Sequence, residues 1–325
     1  MIVLAPVGWL YGRVMQLRNA LYDRGIFRSY DLGAKTISIG NITTGGTGKT
    51  PIVAYVAEIL ADAGEKVCIL TRGYGRESSG LVLVSDGKNV LVDTKQGGDE
   101  PVELGRKLIG KAVVVADADR VSAARWAKEN FGITAFVLDD AFQYRRAKRN
   151  VDIVCVDATN PFGGGNVLPA GRLREPLRNL ARAGVIVITR SDMVDEASNP
   201  MHEISRYNRS APVFLARSII RNQTAVTKPF AFCALGNPEN FLDLLARAGY
   251  ELRGSQAFPD HHNYSQAEIV ELEAAALASN GEALLTTAKD MVKLEDLTFT
   301  MPVSVIEIRT EIDNEGAFRD LIISS

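Results

Sequence analysis

An α/β fold with a mostly parallel sheet flanked by helices is the class this sequence predicts, joined by a smaller C-terminal α/β unit and an N-terminal amphipathic helix. Three observations predict it. Short, near-continuous apolar runs (KTISI, KVCILT, KAVVVA, ITAFVL, VDIVCV and GVIVIT) alternate with helix-period segments, the pattern of strands buried on both faces. A glycine-rich turn, NITTGGTGKT at 41–50, stands between the first run and the apolar-periodic stretch PIVAYVAEIL. From about Pro212 a second, shorter series of strand-like and helix-like segments begins.

The N-terminal segment comes first in the chain. MIVLAPVGWLY is too short to span a bilayer and lacks the basic start and small-residue cleavage site of a secretory signal. Stepped at about 100° per residue, Leu10, Val14, Leu17 and Leu21 form a stripe with Arg13 and Arg18 on its flanks. Residues 1–35 carry five basic side chains (13, 18, 24, 28, 35) against two acidic ones (23, 31). Two readings fit: an interfacial membrane helix with Trp9 and Tyr11 at the headgroups, or a helix packed on the protein's own core.

The turn at 41–50 is built for an anion. Glycines at 45, 46 and 48 let the backbone N–H groups of Thr44, Gly45, Gly46, Thr47 and Gly48 curl around phosphate, and the following helix adds its positive dipole end. Lys49 supplies a point charge for the outer phosphates and Thr50 a hydroxyl for magnesium. The usual P-loop pattern asks for glycine five positions before Gly48. This chain has Thr43 there and a glycine earlier, at Gly40, so the motif is a variant. The fold expected is therefore P-loop NTPase-like.

Beyond it, GLVLVSDGKNVLVD interrupts the strand series, and Asp86-Gly87 between alternating runs predicts a hairpin at the sheet edge. ITAFVLDDAFQ places Asp139 and Asp140 at the C-terminal end of a buried strand, where open α/β sheets hold their ligands and a magnesium ion can be bound. In GGDEP, Asp99 follows two glycines and precedes a helix. It reads either as an N-cap or, with one of His261 and His262 in the polar loop PDHHNY, as part of a base. The Gly/Pro-rich stretch ATNPFGGGNVLPAGRLREPLRN is long for an idle connection and ends on Arg172, Arg174 and Glu175, types suited to phosphate and metal. TRGYGR adds Arg72 and Arg76 at a strand end, and YRRAKRN is a charge run that fits a solvated face, anionic lipid or substrate phosphate.

Composition narrows the classes. At 325 residues and 46% hydrophobic, two units are expected: 1–30 as the helix attached to the first domain, 31–211 as the nucleotide domain and 212–325 as the smaller one. A net charge of -2 argues against nucleic acid as a partner. Cys68, Cys155 and Cys233 lie singly in apolar runs, which fits reduced, structural thiols and no zinc site.

Taken in order, WLYGRVMQLRNALYDRGI, IGNITTGGTGKTP, TRGYGR, GGDEP, LDDAFQ, LPAGRLREP, PDHHNY and TTAKDMVKL resemble the tetraacyldisaccharide 4'-kinase family, the lipid A 4'-kinases of Gram-negative bacteria. The resemblance implies a peripheral enzyme on the cytoplasmic face of the inner membrane. It would use ATP and Mg²⁺ to phosphorylate the 4'-hydroxyl of an acylated glucosamine disaccharide 1-phosphate, giving lipid IVA. It further implies that Lys49 and Thr50 serve phosphate and magnesium, and that Asp99 with His261 is the base. Asp139, Asp140 and Glu175 would lie around the metal and Arg174 near the phosphates, with the active site expected in a cleft between the units. The alternative is a P-loop GTPase-type switch, because TRSD at 189–192 resembles a guanine-reading motif. Against it, Arg190 stands where lysine is usual and no DxxG follows the second strand. A non-catalytic scaffold with a relic P-loop is opposed by the intact Lys49, Thr50 and Asp139.

Overall fold

In chain order the first unit runs α1 (Ala5–Asp23), β1 (Lys35–Asn41), α2 (Lys49–Asp62), β2 (Val67–Thr71), β3 (Val82–Ser85), α3 (Thr94–Gly97), α4 (Asp99–Lys107), β4 (Ala112–Ala116), α5 (Arg120–Phe131), β5 (Ala135–Asp139), β6 (Val151–Asp157), β7 (Val185–Thr189), α6 (Met201–Ser205) and β8 (Val213–Ile220). The chain then forms β9 (Pro229–Cys233), α7 (Pro238–Arg247), β10 (Gly254–Ala257), α8 (Gln266–Ala278), β11 (Ala283–Thr287), α9 (Ala288–Met291), β12 (Val303–Ile306) and β13 (Ile308–Ile312). The last helix, α10 (Glu315–Ser324), belongs to the first unit again. The computed structural model describes residues 4–195, 200–221, 225–235, 238–259, 262–294 and 296–324.

The large sheet has the order β13-β8-β7-β6-β1-β5-β2-β4-β3. From β8 to β4 every neighbouring pair is parallel, β3 runs antiparallel on β4 at one edge, and β13 meets β8 in the antiparallel sense at the other, through Asp313 N–H to the Leu215 carbonyl and Arg221 N–H to the Glu307 carbonyl. Successive side chains of a strand face opposite ways, so one central strand feeds two cores. Ile69 packs in a core with Ile52, Val53 and Val56 of α2, whereas Cys68 and Leu70 pack with Val121, Ala124 and Ala127 of α5. Strands buried on both faces have no polar side to alternate with, which is why they read as unbroken apolar runs. The edge turn forms as expected: Gly87 sits at φ +85 and the Asp86 carboxylate accepts from the Lys88 and Asn89 N–H groups.

The second unit, 218–311, carries a parallel four-stranded sheet in the order β10-β9-β11-β12. The same alternation sorts its helices. Phe230 and Phe232 of β9 pack with Ile269 and Leu272 of α8, and Ala231 and Cys233 pack with Phe241 and Leu245 of α7. A capping box starts α8, with Ser265 and Glu268 exchanging hydrogen bonds.

The sequence division at 212 needs correcting. Residues 212–217 and 312–325 lie in the first unit. Phe214, Ala216, Ile312, Phe318 and Ile322 bury in the same core as α2, and the Phe214 and Phe318 rings meet edge to face at 5.0 Å. Periodicity shows that a segment has an apolar face but not which core receives it.

Helix α1 separates the two readings of its stripe. Leu10, Val14 and Leu17 are 58%, 55% and 62% exposed, and Trp9 is 63% exposed, so the stripe is not packed on the protein's own core. Leu21 is half-buried. The buried positions are Gly8, Gly12 and Asn19. The flanking arginines diverge: Arg13 stacks over Trp9 at 4.9 Å, while Arg18 turns inward to the Gln143 carbonyl. Among the described residues, no helix is long and apolar enough to cross a membrane.

Candidate active site

Strand β1 lies between β5 and β6, parallel to both, so the turn that follows it opens at the middle of the sheet among neighbouring strand ends. Gly48 sits at φ +70 and α2 begins at Lys49, which aims the first N–H groups and the positive end of the helix into the turn. The turn is braced from outside. Asn41 donates to the Thr47 hydroxyl at 2.9 Å, and the Thr189 hydroxyl donates to the Thr47 carbonyl at 2.8 Å. Thr44 N–H donates to the Arg172 carbonyl at 2.7 Å, and the Arg172 guanidinium donates to the Thr44 carbonyl at 2.9 Å.

These contacts explain the variant motif. Thr43 is buried and bridges Leu173 as a strand residue would, so a β-branched residue suits a place where other loops have glycine. Gly40 does not replace that glycine. It sits in β1, where a Cβ would stand 2.5 Å from the Phe142 nitrogen, and its role is close packing.

The adjacent aspartates at the end of β5 are driven apart by the backbone. Asp140 has φ +46, and this left-handed turn sends the two carboxylates to different partners. Asp139 is buried and accepts from the Thr71 hydroxyl at 3.0 Å. Burial, reinforced by the Glu100 and Asp140 charges, pushes its carboxyl up to about 6. Asp140 accepts from Arg174 at 2.8 Å and faces Lys49 at 3.5 Å. Burial opposes its ionisation, but Lys49 and Arg174 prevail and hold it below the usual carboxylate range. One carboxylate is thus neutralised by protein cations, while the other is crowded by like charge.

That crowding is what a hard divalent cation relieves. Magnesium keeps most of its own waters and needs one or two carboxylates beside the substrate phosphates. Asp139 and Asp140, with the Thr50 hydroxyl at the start of α2, fit this donor set. Glu175, by contrast, is not available to a metal. Its carboxylate is fully buried and accepts from Gln143, Asn19, Asn179 and both terminal nitrogens of Arg182, all at 2.7–3.0 Å. Burial alone would raise its pKa, yet the Arg182, Asn19 and Gln143 bonds hold it down. Spacing in the sequence puts Glu175 next to Arg174 but cannot show that the two point apart.

Asp99 is the first residue of α4, and Gly98, at φ +90, is the cap, so Asp99 is not the N-cap. Its neighbour Glu100 is close enough to Asp139 to raise that group, which brings the start of α4 to the same end of the sheet. His261 lies outside the described residues. Its neighbour His262 is engaged elsewhere, paired with Glu268 at 2.9 Å and stacked on Phe258. Arg76 is spent on its own loop, donating to the Ala116 and Gly80 carbonyls, while Arg72 is exposed. The run YRRAKRN is divided: Arg145 donates to the Asn19 carbonyl and Asp23 and Arg149 pairs with Asp152, while Arg146, paired with Asp119, and Lys148 stay exposed. TRSD braces the phosphate turn through Thr189, and its Arg190 is paired with Asp157. The braces Thr71 and Gln143 sit inside the quoted motifs, but only the fold shows what they hold.

A variant phosphate loop at the centre of a parallel sheet, facing a carboxylate pair on the adjacent strand, defines a P-loop nucleotide-binding protein of the α/β class. The family described as Tetraacyldisaccharide-1-P 4'-kinase matches residues 1–325. A tetraacyldisaccharide 4'-kinase of Desulfotalea psychrophila is 35% identical, covering 99% of this chain and 97% of its own length. One from Chlorobium phaeovibrioides is 37% identical over 99% and 98%. The crystal structure of LpxK from Aquifex aeolicus in complex with ATP is similar at a TM-score of 0.79 and 30% identity, covering 99% of this chain and 98% of that one. The chain belongs to the tetraacyldisaccharide 4'-kinase family.

The raised Asp139 gives a pH signature. Because its folded pKa, about 6, stands above the ordinary 3.8, the unliganded fold loses stability as pH rises through that window. Asp139→Asn, neutral throughout, is expected to be more stable than the parent at about pH 8 by on the order of 2–3 kcal/mol, with the two converging toward about pH 4. Denaturant titrations across that range check this; equal stability at the alkaline end would remove Asp139 as the strained group.

Proposed function

We propose that the protein transfers the γ-phosphoryl group of ATP to the 4'-hydroxyl of a tetraacyldisaccharide 1-phosphate, yielding lipid IVA. The observation that carries the reading is the Lys49–Asp140–Arg174 cluster at the mouth of the phosphate turn, beside the buried Asp139. Phosphoryl transfer asks mainly for positioning and charge neutralisation. The N–H groups of 45–48 and the α2 dipole hold the phosphates, the Thr44 N–H expected among them being spent on the Arg172 carbonyl, and Lys49 meets charge on the transferring group. Arg174 stands close by through Asp140. Thr50, Asp139 and Asp140 would hold magnesium, which would supply neutralisation of phosphate charge. Asp99 and His261 form the base: a carboxylate accepting from an imidazole lets the other ring nitrogen take the proton of the acceptor hydroxyl near neutral pH. The choice of His261 rests on the family resemblance, and its neighbour His262 is paired with Glu268.

The acceptor is a lipid, and α1 has the character to meet one. Its exposed Leu10, Val14, Leu17 and Trp9 would bury in the headgroup boundary of the inner membrane's cytoplasmic leaflet, with Arg13 reaching outward.

Three outcomes are expected. Labelled γ-phosphate should move from ATP to the acylated disaccharide, and Lys49→Ala should cut the rate by about 10³-fold or more with the fold intact; parental transfer in that variant would overturn the P-loop assignment. Asp99→Ala and His261→Ala should each lower kcat far more than ATP affinity, and the double variant should be less impaired than the product of the two. Independent multiplication of the defects would show that they do not act as a pair. Asp at Leu10, Val14 and Leu17 should weaken co-sedimentation with anionic vesicles and raise the KM for lipid with ATP affinity unchanged, whereas undiminished vesicle binding would leave the exposed stripe without this role.

A further inference from the structure

Helix α1 meets the rest of its unit at two places: its C-terminal half meets Gln143 and Arg145, through Arg18, the Asn19 carbonyl and Asp23, and its N-terminal half packs closely by small residues. Its buried positions are two glycines and one asparagine. A Cβ at Gly8 would stand 2.9 Å from the Val167 carbonyl oxygen and 3.0 Å from the Ala170 side chain, and one at Gly12 would meet Pro176 and Val167. The helix therefore lies directly on the segment 167–176. Farther along, Asn19 donates to Glu175 at 2.9 Å.

The opposite side of that segment holds the phosphate turn. Leu173 bridges Thr43, Arg172 exchanges two hydrogen bonds with Thr44, and Arg174 donates its N–H to the Ile42 carbonyl at 2.8 Å and its guanidinium to Asp140. Residues 167–176 are thus a strap with α1 on one side and the phosphate turn on the other. Glu175 is its fixed point, held by Arg182 whatever α1 does.

We propose that Asn19 and Glu175 are positioning residues that seat α1 on this strap and thereby set how the phosphate turn holds ATP. The amide of Asn19 supplies a neutral donor to a carboxylate whose other positions are filled. Movement of α1 against the strap is transmitted through Arg172 to Thr44 and through Arg174 to Asp140. The inference rests on the reading of 41–50 as the ATP site, and it removes Glu175 from the metal.

The test uses the full chain, a fluorescent ATP analogue as the binding probe and steady-state transfer to the acylated disaccharide. Asn19→Asp sets carboxylate against carboxylate and should weaken probe binding and raise the KM for ATP about tenfold, with kcat changed less. Adding Glu175→Gln to it restores a donor–acceptor pair in the reverse sense, and most of the lost affinity should return. Gly8→Val, which lifts α1 without touching either polar group, should weaken the probe similarly and serves if Asn19→Asp does not fold. The Mg²⁺ concentration for half-maximal rate should stay within about twofold in all of them. Parental probe affinity in Asn19→Asp and Gly8→Val, with Lys49→Ala abolishing binding, would overturn the coupling and leave the ATP-site reading standing. A tenfold rise in the Mg²⁺ requirement on Glu175→Gln alone would return Glu175 to the metal and overturn the proposal as well.

Discussion

An anion-binding turn must keep its backbone N–H groups free, and that constraint governs the first unit. Groups that point at a ligand cannot also bond to one another, so the turn cannot hold its own shape. Its form comes from outside, through the Asn41 amide, the Thr189 hydroxyl at the end of β7 and the two-way bond between Arg172 and Thr44. Each brace sits on a strand end or on the strap that follows β6. The parallel sheet is what brings those ends to one side.

The charges at the site divide along the same line. Lys49 and Arg174 settle on Asp140, while Asp139 accepts from a single threonine hydroxyl, and its burial with the Glu100 and Asp140 charges outweighs the pull of Lys49. A buried acid so placed costs stability until a cation arrives, which is a common way for an active site to store unfavourable energy. Glu175 shows the opposite economy. Equally buried, it is saturated with donors and serves as a fastening.

Much of this was legible in the amino-acid order. Double-faced burial writes itself as unbroken apolar runs, so the strands of the parallel sheet could be read directly, as could the phosphate turn and the strand-end aspartates. Other features depend on direction, which a string of residues does not carry. Glu175 adjoins Arg174 in sequence yet faces away from it, and Arg145 and Arg149 of the basic run turn inward onto a carbonyl and a carboxylate. The domain division failed for a related reason: α10 has an ordinary apolar face, and only the fold reveals that α2 receives it.

That last packing has a consequence for how the first unit folds. Phe318 and Ile322 cover the helix whose first residue is Lys49. Leu215 and Asp313 are already joined by backbone and side-chain bonds across the inserted second unit, so the distant ends of a long loop must close before that cover can settle. The helix that carries Lys49 is thus covered only once segments far apart in sequence have met, which makes the seating of the phosphate turn a long-range event in folding.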